Sequence, residues 1–242
     1  MFATRIFSPR TTALPSTCQV CGRWPAQPVC SACEARFAAS RWRCQGCAAA
    51  LARNSHHCGA CQTRREPNAL HRCVAAVDYA FPWDDLIARF KFRNEPGWAG
   101  PFAALMVEHA AVRELLRSCT LLVPVPITPS RLAERGYNQA WELAQALRRR
   151  TDPVSPLALA EALVRVRETA DQHQLPREQR LQNLRGAFAA HPQHVLQLAQ
   201  AHVLLVDDVT TTGATLQAAA QALRLAGAGQ VSALVLARTP LD

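Results

Sequence analysis

The sequence predicts an α/β protein in which a mostly parallel sheet, covered by helices on both faces, follows a small metal-binding module. Two observations predict this arrangement. Eight of the ten cysteines fall into four Cys-Xaa-Xaa-Cys pairs before residue 62, a spacing typical of metal ligands. Beyond residue 73, short apolar runs alternate with amphipathic segments of helical period, which is the pattern of strands separated by covering helices.

The chain of 242 residues is long enough for a large domain and a small one. We expect a flexible N-terminus at 1–17, the metal module at 18–65 and the α/β domain at 73–242. Residues 1–17 lack the continuous apolar stretch of a secretory signal, although their few acids leave a transit peptide as a minor alternative. The sequence contains no run of 18 apolar residues, so it does not predict a membrane-spanning helix. These features together predict a cytoplasmic protein.

The four cysteine pairs define the module. A two-residue spacer lets one tight turn direct two sulfurs to the same point, and two such turns complete a tetrahedral zinc site with Zn–S bonds of about 2.3 Å. Thiolates favour zinc or iron–sulfur clusters over magnesium or calcium. The pairs therefore predict two closed, structural zinc sites, whose ligands are Cys18, Cys21, Cys30, Cys33, Cys44, Cys47, Cys58 and Cys61.

Other uses of these cysteines fit less well. A disulfide framework needs an oxidising compartment, and iron–sulfur proteins usually space their cysteines differently. We expect the first pair to share zinc with the second, because only eight residues separate them and a short helix, EARFAAS, follows Cys33. A crossed arrangement of the first pair with the third stays open. So small a module should need its metal to fold. The two remaining cysteines, Cys73 and Cys119, are expected to be buried thiols without a role.

The positive charge of the chain is concentrated in the module. Residues 1–65 contain nine arginines and one acid, a formal charge of +8 out of +9 for the whole chain. Each zinc site with four thiolates would carry −2, and the remaining +4 still suits a polyanionic partner. A general preference for arginine is the alternative, since the chain has a single lysine, Lys91. Among the arginines lie Trp24, Trp42 and Phe37, which either stack on bases or form the module's small core, as we favour for Phe37.

The α/β domain should alternate between strands and helices. Apolar runs predict strands at 73–81, 121–126, 162–166, 202–206 and 231–237. Amphipathic periodicity predicts helices at 83–92, 101–118, 138–150 and 215–227. Asn138 is expected as an N-cap, and Gly227 as the end of the last helix. Residues 165–185 are polar and lack periodicity, which predicts a long flexible loop of the kind that often acts as a lid.

The segment 203–215 carries the clearest chemistry. An apolar strand ends in two carboxylates, a small hydroxyl-rich turn follows, and a helix begins. Backbone N–H groups, hydroxyls and a helix N-terminus suit a phosphate dianion, and two acids can accept hydrogen bonds from vicinal ribose hydroxyls. The carboxyl end of a parallel strand is where such sheets bind ligands. The segment therefore predicts a sugar-phosphate site formed by Asp207, Asp208, Thr210, Thr211, Thr212, Gly213 and Thr215.

This segment is similar, over its whole length, to the thirteen-residue signature with which type I phosphoribosyltransferases bind phosphoribosyl pyrophosphate (PRPP). Residues 123–139, which include VPVP and RGYNQ, and residues 167–183 resemble two further blocks of the ComF/GntX family. The resemblance implies a type I phosphoribosyltransferase fold behind a double zinc ribbon, with Mg²⁺ accompanying PRPP. It also implies arginine contacts to the ligand, from Arg131, Arg135, Arg167, Arg177 and Arg180. The alternative for Arg167, Arg177 and Arg180 is that they are solvated surface charges without a ligand.

Three functions are compatible with these features. The resemblance implies a PRPP-binding protein that handles single-stranded DNA in natural competence, with partners such as a helicase or translocase of the competence machinery. In an active phosphoribosyltransferase, Asp207 and Asp208 would be catalytic residues that hold the ribose while arginines and Mg²⁺ neutralise the leaving pyrophosphate; no residue pattern identifies the acceptor. A PRPP-sensing regulator is the third alternative. Walker A and dinucleotide-binding patterns are absent, so nucleoside triphosphates and NAD have no support as ligands.

Overall fold

The computed structural model describes residues 15–64, 68–151, 156–167 and 186–240. The expected N-terminal segment, 1–17, and the expected loop, 165–185, lie mostly outside the described residues. Within those residues, no helix has both the length and the apolar character needed to cross a membrane.

The metal module is built twice from the same unit. Each unit has a cysteine knuckle (18–21 or 44–47) followed by a short helix whose N-cap is a cysteine. Helix α1 (Ser31–Phe37) begins after Cys30, and α2 (Gly59–Gln62) begins after Cys58. Helix α1 starts ahead of the predicted segment EARFAAS, because the metal-binding pair itself opens the helix.

The α/β domain begins with β1 (Cys73–Asp78), α3 (Trp83–Phe92), α4 (Ala99–Val107), α5 (Ala110–Ser118) and β2 (Leu121–Pro124). It continues with α6 (Pro129–Arg135), α7 (Gln139–Arg148), β3 (Leu157–Ala158), β4 (Leu163–Arg165) and β5 (Phe188–Ala190). The last elements are α8 (Val195–Leu198), β6 (His202–Thr210), α9 (Ala214–Leu225) and β7 (Gln230–Arg238). Single turns of 3₁₀ helix, Pro96–Trp98 and Pro192–His194, precede α4 and α8.

Five of these strands form a parallel sheet in the order β1-β7-β6-β2-β3. Alternate residues of the central strand β6 enter opposite faces of the core, as the period of a strand requires. Leu204 and Val206 pack with the side chains of α3, α4, α5 and α7, whereas Val203 and Leu205 pack with those of α9. The predicted parallel sheet with helices on both faces is confirmed.

One long helix was predicted where the structure has two shorter ones. The segment 101–118 forms two helices, α4 and α5, because His109 adopts an extended conformation between them. The side chain of Arg113 stabilises this break, since its Nη1 donates to the carbonyls of Val107 and Glu108 at 2.6 and 2.7 Å. Those carbonyls belong to the end of α4, where intrahelical donors are missing.

Two further elements differ from the prediction. The segment 162–166 does not join the main sheet, because β4 pairs with β5 in a separate two-stranded antiparallel sheet. Helix α6 occupies a segment for which no helix was predicted. The hydroxyl of Thr128 caps its start, and Gly136 ends it in the left-handed conformation at φ 76°. Asn138 caps α7 as predicted, accepting a hydrogen bond from the N–H of Ala140 at 2.9 Å.

The metal module packs against the α/β domain through a shared core. Cys18, Cys30 and Cys33 belong to the same buried cluster as the apolar side chains of α3 and α4. Trp83, the first residue of α3, donates its indole N–H to the carbonyl of Phe37 at 2.9 Å. The module is therefore joined to the domain by buried apolar contacts as well as by the connecting chain.

Candidate functional site

The eight paired cysteines form two separate clusters. The sulfurs of Cys18, Cys21, Cys30 and Cys33 lie within 4.8 Å of one another, and so do those of Cys44, Cys47, Cys58 and Cys61. The predicted sharing of adjacent pairs is confirmed, and the crossed arrangement is excluded.

The sulfur geometry of both clusters fits zinc. Representative Sγ–Sγ distances are 3.9 Å between Cys18 and Cys33 and 3.7 Å between Cys47 and Cys58. A tetrahedron with Zn–S bonds of about 2.3 Å has edges of about 3.8 Å, whereas a disulfide needs about 2.05 Å. In each cluster one sulfur also accepts a backbone N–H, at 3.4 Å for Cys18 and 3.3 Å for Cys44. The clusters are compatible with two structural zinc ions.

The two unpaired cysteines are buried thiols, as predicted. Cys73 begins β1 and Cys119 follows α5. Burial raises the pKa of each thiol to about 12, so both remain protonated and unreactive at neutral pH.

The second cluster is attached to the sheet by polar contacts. The guanidinium of Arg238, at the end of β7, donates from Nε to the carbonyl of Cys47 at 3.0 Å. The backbone N–H of Cys73 donates to the carbonyl of Gln45 at 2.7 Å. These contacts tie the cysteine knuckle to the two strands at one side of the sheet.

The carboxyl ends of β2 and β6 form the crevice where the predicted ligand site lies. The two strands are neighbours, in register from Leu121 and Val203 to Pro124 and Val206. After β2 the chain forms the edge strand β3, whereas after β6 it forms β7 on the opposite side. Such a reversal opens a crevice outside the carboxyl ends of the two strands, and open α/β sheets bind ligands there.

Two carboxylates are held in this crevice by backbone amides and one lysine. Asp208 is 6% exposed; its Oδ1 accepts the N–H of Val209 at 2.7 Å and lies 3.1 Å from Nζ of Lys91. Oδ1 of Asp207 accepts the N–H of Asp208 at 2.9 Å. Burial and the Asp208 carboxylate raise the pKa of Asp207 to about 8, against the opposing effect of Lys91. Asp207 therefore holds a proton more readily than an ordinary aspartate, and a pair with one proton can both donate to and accept from neighbouring hydroxyls.

The turn after these carboxylates contains a glycine in the left-handed conformation. Gly213 adopts φ 78° and begins α9, and no atom lies within 4 Å of the place a Cβ would occupy. Glycine is required by the left-handed conformation, and the open space beside it admits a ligand. The hydroxyl of Thr212 accepts the N–H of Ala214 at 3.3 Å. Of the other predicted residues in this segment, Thr210 is buried, Thr215 is partly buried and Thr211 is exposed.

The predicted arginines differ in how the structure places them. Arg131 and Arg135 lie on α6, directly after β2 and thus at the crevice. The guanidinium of Arg135 stacks 4.9 Å from the ring centre of Phe92 and donates to Oε1 of Gln139 at 3.1 Å. Arg167 is exposed after β4. The other two predicted contacts, Arg177 and Arg180, fall outside the described residues.

Two buried donors at this crevice lack partners. Among the described residues, Nε of Arg135 and Nε2 of Gln139 find no hydrogen-bond acceptor, although Gln139 is only 2% exposed. Burial lowers the pKa of Arg135, and the charge of Asp208 opposes that shift. A buried donor without an acceptor is costly, and an anionic ligand would satisfy both groups.

Comparison with known proteins gives consistent matches over nearly the whole chain. The phosphoribosyl transferase domain family matches residues 132–241. DNA utilization protein YhgH from Escherichia coli (strain K12) is 32% identical over 235 residues, which cover 93% of this chain and 98% of that protein. Competence protein F from Haemophilus influenzae is 34% identical over 215 residues, or 87% and 90% of the two chains. The chain belongs to the ComF/GntX family.

The similarity to relatives in the ComF/GntX family extends over the metal module as well as the sheet. The match to YhgH from Salmonella typhimurium, 30% identical over 93% of this chain, likewise extends well beyond the phosphoribosyl transferase domain. The predicted fold, a type I phosphoribosyltransferase domain behind a module consistent with a double zinc ribbon, is confirmed.

Sequence reasoning missed two residues at this crevice. Lys91 was noted only as the single lysine, yet it forms the ion pair with Asp208. Gln139 stands in the RGYNQ block and was given no role, yet it lies buried against Arg135. The unique lysine at the end of an amphipathic helix was a usable signal; the burial of Gln139 depends on how α6 and α7 pack and has no local signature.

Proposed function

We propose that this protein binds PRPP with Mg²⁺ in the crevice at β2 and β6 and handles single-stranded DNA. The observation that carries the PRPP assignment is the carboxylate pair, Asp207 and Asp208, at the carboxyl end of β6, followed by a turn whose left-handed Gly213 leaves open space. A sugar phosphate is the ligand that needs both acceptors for vicinal hydroxyls and a helix N-terminus for phosphate.

The crevice offers complementary groups to each part of PRPP. The 5′-phosphate would lie at the turn 210–213 and the start of α9, and the ribose hydroxyls would contact Asp207 and Asp208. The pyrophosphate would meet Arg131 and Arg135, so that the unpartnered Nε of Arg135 gains an acceptor. Mg²⁺ takes oxygen ligands, which fits these carboxylates together with the oxygens of the ligand; when bound, it would neutralise the charge of the pyrophosphate.

The DNA assignment rests on the relatives and on the module. The names of the relatives refer to DNA utilization and competence. In the basic module, Trp24 is 62% and Trp42 is 54% exposed, and exposed aromatic rings among arginines are typical of sequence-tolerant single-strand binding. Phe37 instead packs partly buried against the core, as favoured from the sequence. Proteins of the competence machinery, such as a helicase or translocase, are the protein partners that this function would require.

Phosphoribosyl transfer is the second candidate function. The family match to the phosphoribosyl transferase domain and the two unpartnered donors of Arg135 and Gln139 favour it, because donors placed at a leaving pyrophosphate stabilise its developing charge. The bond from C1 of the ribose to pyrophosphate would break as an acceptor forms its bond to C1. A PRPP-sensing regulator would use the same contacts without turnover.

Calorimetric titration tests the proposal. Mg²⁺–PRPP and a 20-nucleotide single strand are titrated separately, the strand at 50 and 200 mM salt. We expect both to bind, with the affinity for DNA falling steeply with salt because counterions are released from the phosphates. The variant Asp207→Ala with Asp208→Ala should lose PRPP binding, whereas Asp84→Ala with Asp85→Ala, the adjacent acids in the first turn of α3, should retain it. Unchanged PRPP affinity in the first variant would contradict the ribose assignment.

A separate assay distinguishes transfer from sensing. Release of pyrophosphate from PRPP is followed with nucleobases, orotate and ammonia as acceptors. Release that depends on one acceptor and is lost in the Asp207→Ala, Asp208→Ala variant identifies a transferase, and PRPP binding without release identifies a sensor.

A further inference from the structure

A pocket of about 140 Å³ lies between the metal module and the α/β domain. The module contributes Arg36, Phe37, Arg41 and Arg43 to its lining, and the domain contributes Asp78 and Phe81. A cavity of about 150 Å³ admits one aromatic ring, so this pocket has room for a single flat ring system.

The pocket combines positive charge with an exposed ring. Oδ1 and Oδ2 of Asp78 pair with Nη1 of Arg43 and Arg41 at 2.8 and 3.0 Å. The guanidinium of Arg36 lies 5.1 Å from the ring centre of Phe37. Three arginines face one carboxylate, which leaves a positive excess in this pocket.

Phe81 forms the aromatic wall of the pocket. Its ring meets that of Phe37 edge to face, with centres 5.5 Å apart and planes at 87°, and this contact fixes its orientation. Phe81 is nevertheless 62% exposed, so one side of an oriented ring faces solvent. Such a ring is a stacking platform for a nucleobase, because every base presents a π-face.

The pocket opens at the same edge of the sheet as the phosphate turn. Strand register places Asp78 beside Arg238, and Arg238 beside Thr210, the first residue of the turn. Neighbouring strands are about 4.8 Å apart, so Asp78 and Thr210 are about 10 Å apart across the sheet. Helix α3 gives a second measure, since it leads from Trp83 in the pocket lining to Lys91 at Asp208, eight residues and about 12 Å along its axis.

We propose that this junction pocket holds one base of single-stranded DNA, stacked on Phe81. The neighbouring phosphates contact Arg36 and the exposed side chain of Arg41, and the strand continues along the carboxyl edge of the sheet toward the phosphate turn. Trp42, which follows Arg41, is 54% exposed and offers a second ring for stacking. The proposal rests on the proposed DNA function and assigns a location to it.

Fluorescence anisotropy with labelled (dT)20 tests the pocket. Stacking of a base on an aromatic side chain strengthens single-strand binding, so Phe81→Ala should weaken binding about tenfold. The slope of log K against log salt should not change, because no charge is removed. Arg41→Gln should instead reduce that slope by about 0.7, the value for one phosphate contact to a single strand. Leu196→Ala, at a site that is 89% exposed on α8, is the matched control and should bind like the wild type.

A strand of 20 abasic nucleotides separates stacking from other effects. The wild type and Phe81→Ala should bind the abasic strand equally, because the base that Phe81 contacts is missing. Equal binding of (dT)20 by the two proteins, or the same loss on both strands, would overturn the pocket while leaving the DNA function in place. Absence of (dT)20 binding by the wild type would overturn the DNA function and the pocket together. Zinc content and circular dichroism of each variant establish that it is folded.

Discussion

The ion pair between Lys91 and Asp208 is the residue-scale feature on which the crevice depends. The exposed fractions of the two side chains are 19% and 8%, so each charge has lost most of its water. Removing one partner of a fully buried pair costs about 3–5 kcal/mol, because the other charge is left uncompensated. Each charge of the pair thus compensates the other in a site that is largely shielded from solvent.

Replacing the lysine tests this role. Lys91→Met should reduce the free energy of unfolding by about 2–3 kcal/mol, somewhat less than for a fully buried pair, and should weaken PRPP binding. Lys91→Arg keeps the charge and should recover most of the stability. Denaturant unfolding measures the first quantity and calorimetry the second. Equal stability of the wild type and Lys91→Met would show that the ion pair is not stabilising.

Asp207 predicts a pH dependence of stability in the absence of ligand. Its folded pKa of about 8 exceeds the usual value of about 3.9 for aspartate in an unfolded chain. A raised pKa stabilises the fold below the unfolded pKa, and this contribution is lost as the pH rises through 8. Asp207→Asn lacks the titrating group, so its melting temperature relative to the wild type should increase from pH 5 to pH 8.5.

The control for this titration is an exposed acid. Glu114→Gln removes a carboxylate that is 66% exposed on α5, and its melting temperature relative to the wild type should show no comparable trend. A constant difference between Asp207→Asn and the wild type across this pH range would mean that Asp207 ionises normally.

At the scale of elements, long periodic segments were predictable and short ones were not. The strands and helices around β6 and α9 follow from apolar period, and the phosphate turn follows from its residue types. Helix α6 was missed because seven residues are too few to show a helical period, although Thr128 before Pro129 and the later Gly136 are start and stop signals. The break at His109 depends on a side chain, Arg113, that lies beyond it in sequence.

The candidate ligand site was also predictable only in part. The carboxylates and the turn are contiguous in sequence, and so their chemistry could be recognised before folding. Lys91 and Gln139 reach the site from α3 and α7, and only the packing of those helices brings them there. Residues that a fold assembles from distant segments leave no local spacing to detect.

Helix α9 allows its two ends to be compared. Gly213 and Gly227 both have positive φ, 78° and 96°, so alanine at either position should cost about 1 kcal/mol. Only Gly213 borders the phosphate turn. Gly213→Ala should therefore also weaken PRPP binding, while Gly227→Ala should leave it unchanged. Thermal unfolding and calorimetry on both variants check this, and equal loss of PRPP affinity at the two ends would contradict a phosphate site at the helix start.

At the scale of the whole molecule, the metal module and the α/β domain depend on each other. The first cluster lies within the core that α3 and α4 share, and the second is tied to β7 by Arg238. Since apolar side chains alone are too few to hold so small a module, its metal should contribute to the stability of the whole chain.

Loss of either cluster should be measurable by metal content. Cys18→Ser with Cys21→Ser should leave one zinc ion per chain and unfold the module, with a lower melting temperature for the whole protein. Cys44→Ser with Cys47→Ser should likewise leave one ion. Cys119→Ser, which changes a buried thiol outside both clusters, should keep two. Two zinc ions in either double variant would show that the pair removed is not a ligand.

The order of the strands also determines when the parallel sheet can form during translation. Within the described sheet, β1 has one neighbour, β7, which follows the other four strands in sequence. The metal module and β1 are synthesised early, yet their place beside β7 exists only after residues 230–238 have emerged. Until then β1 is an unpaired apolar strand, the kind of segment that associates with other chains. Translation that stops before residue 230 would leave both β1 and β6 without this partner.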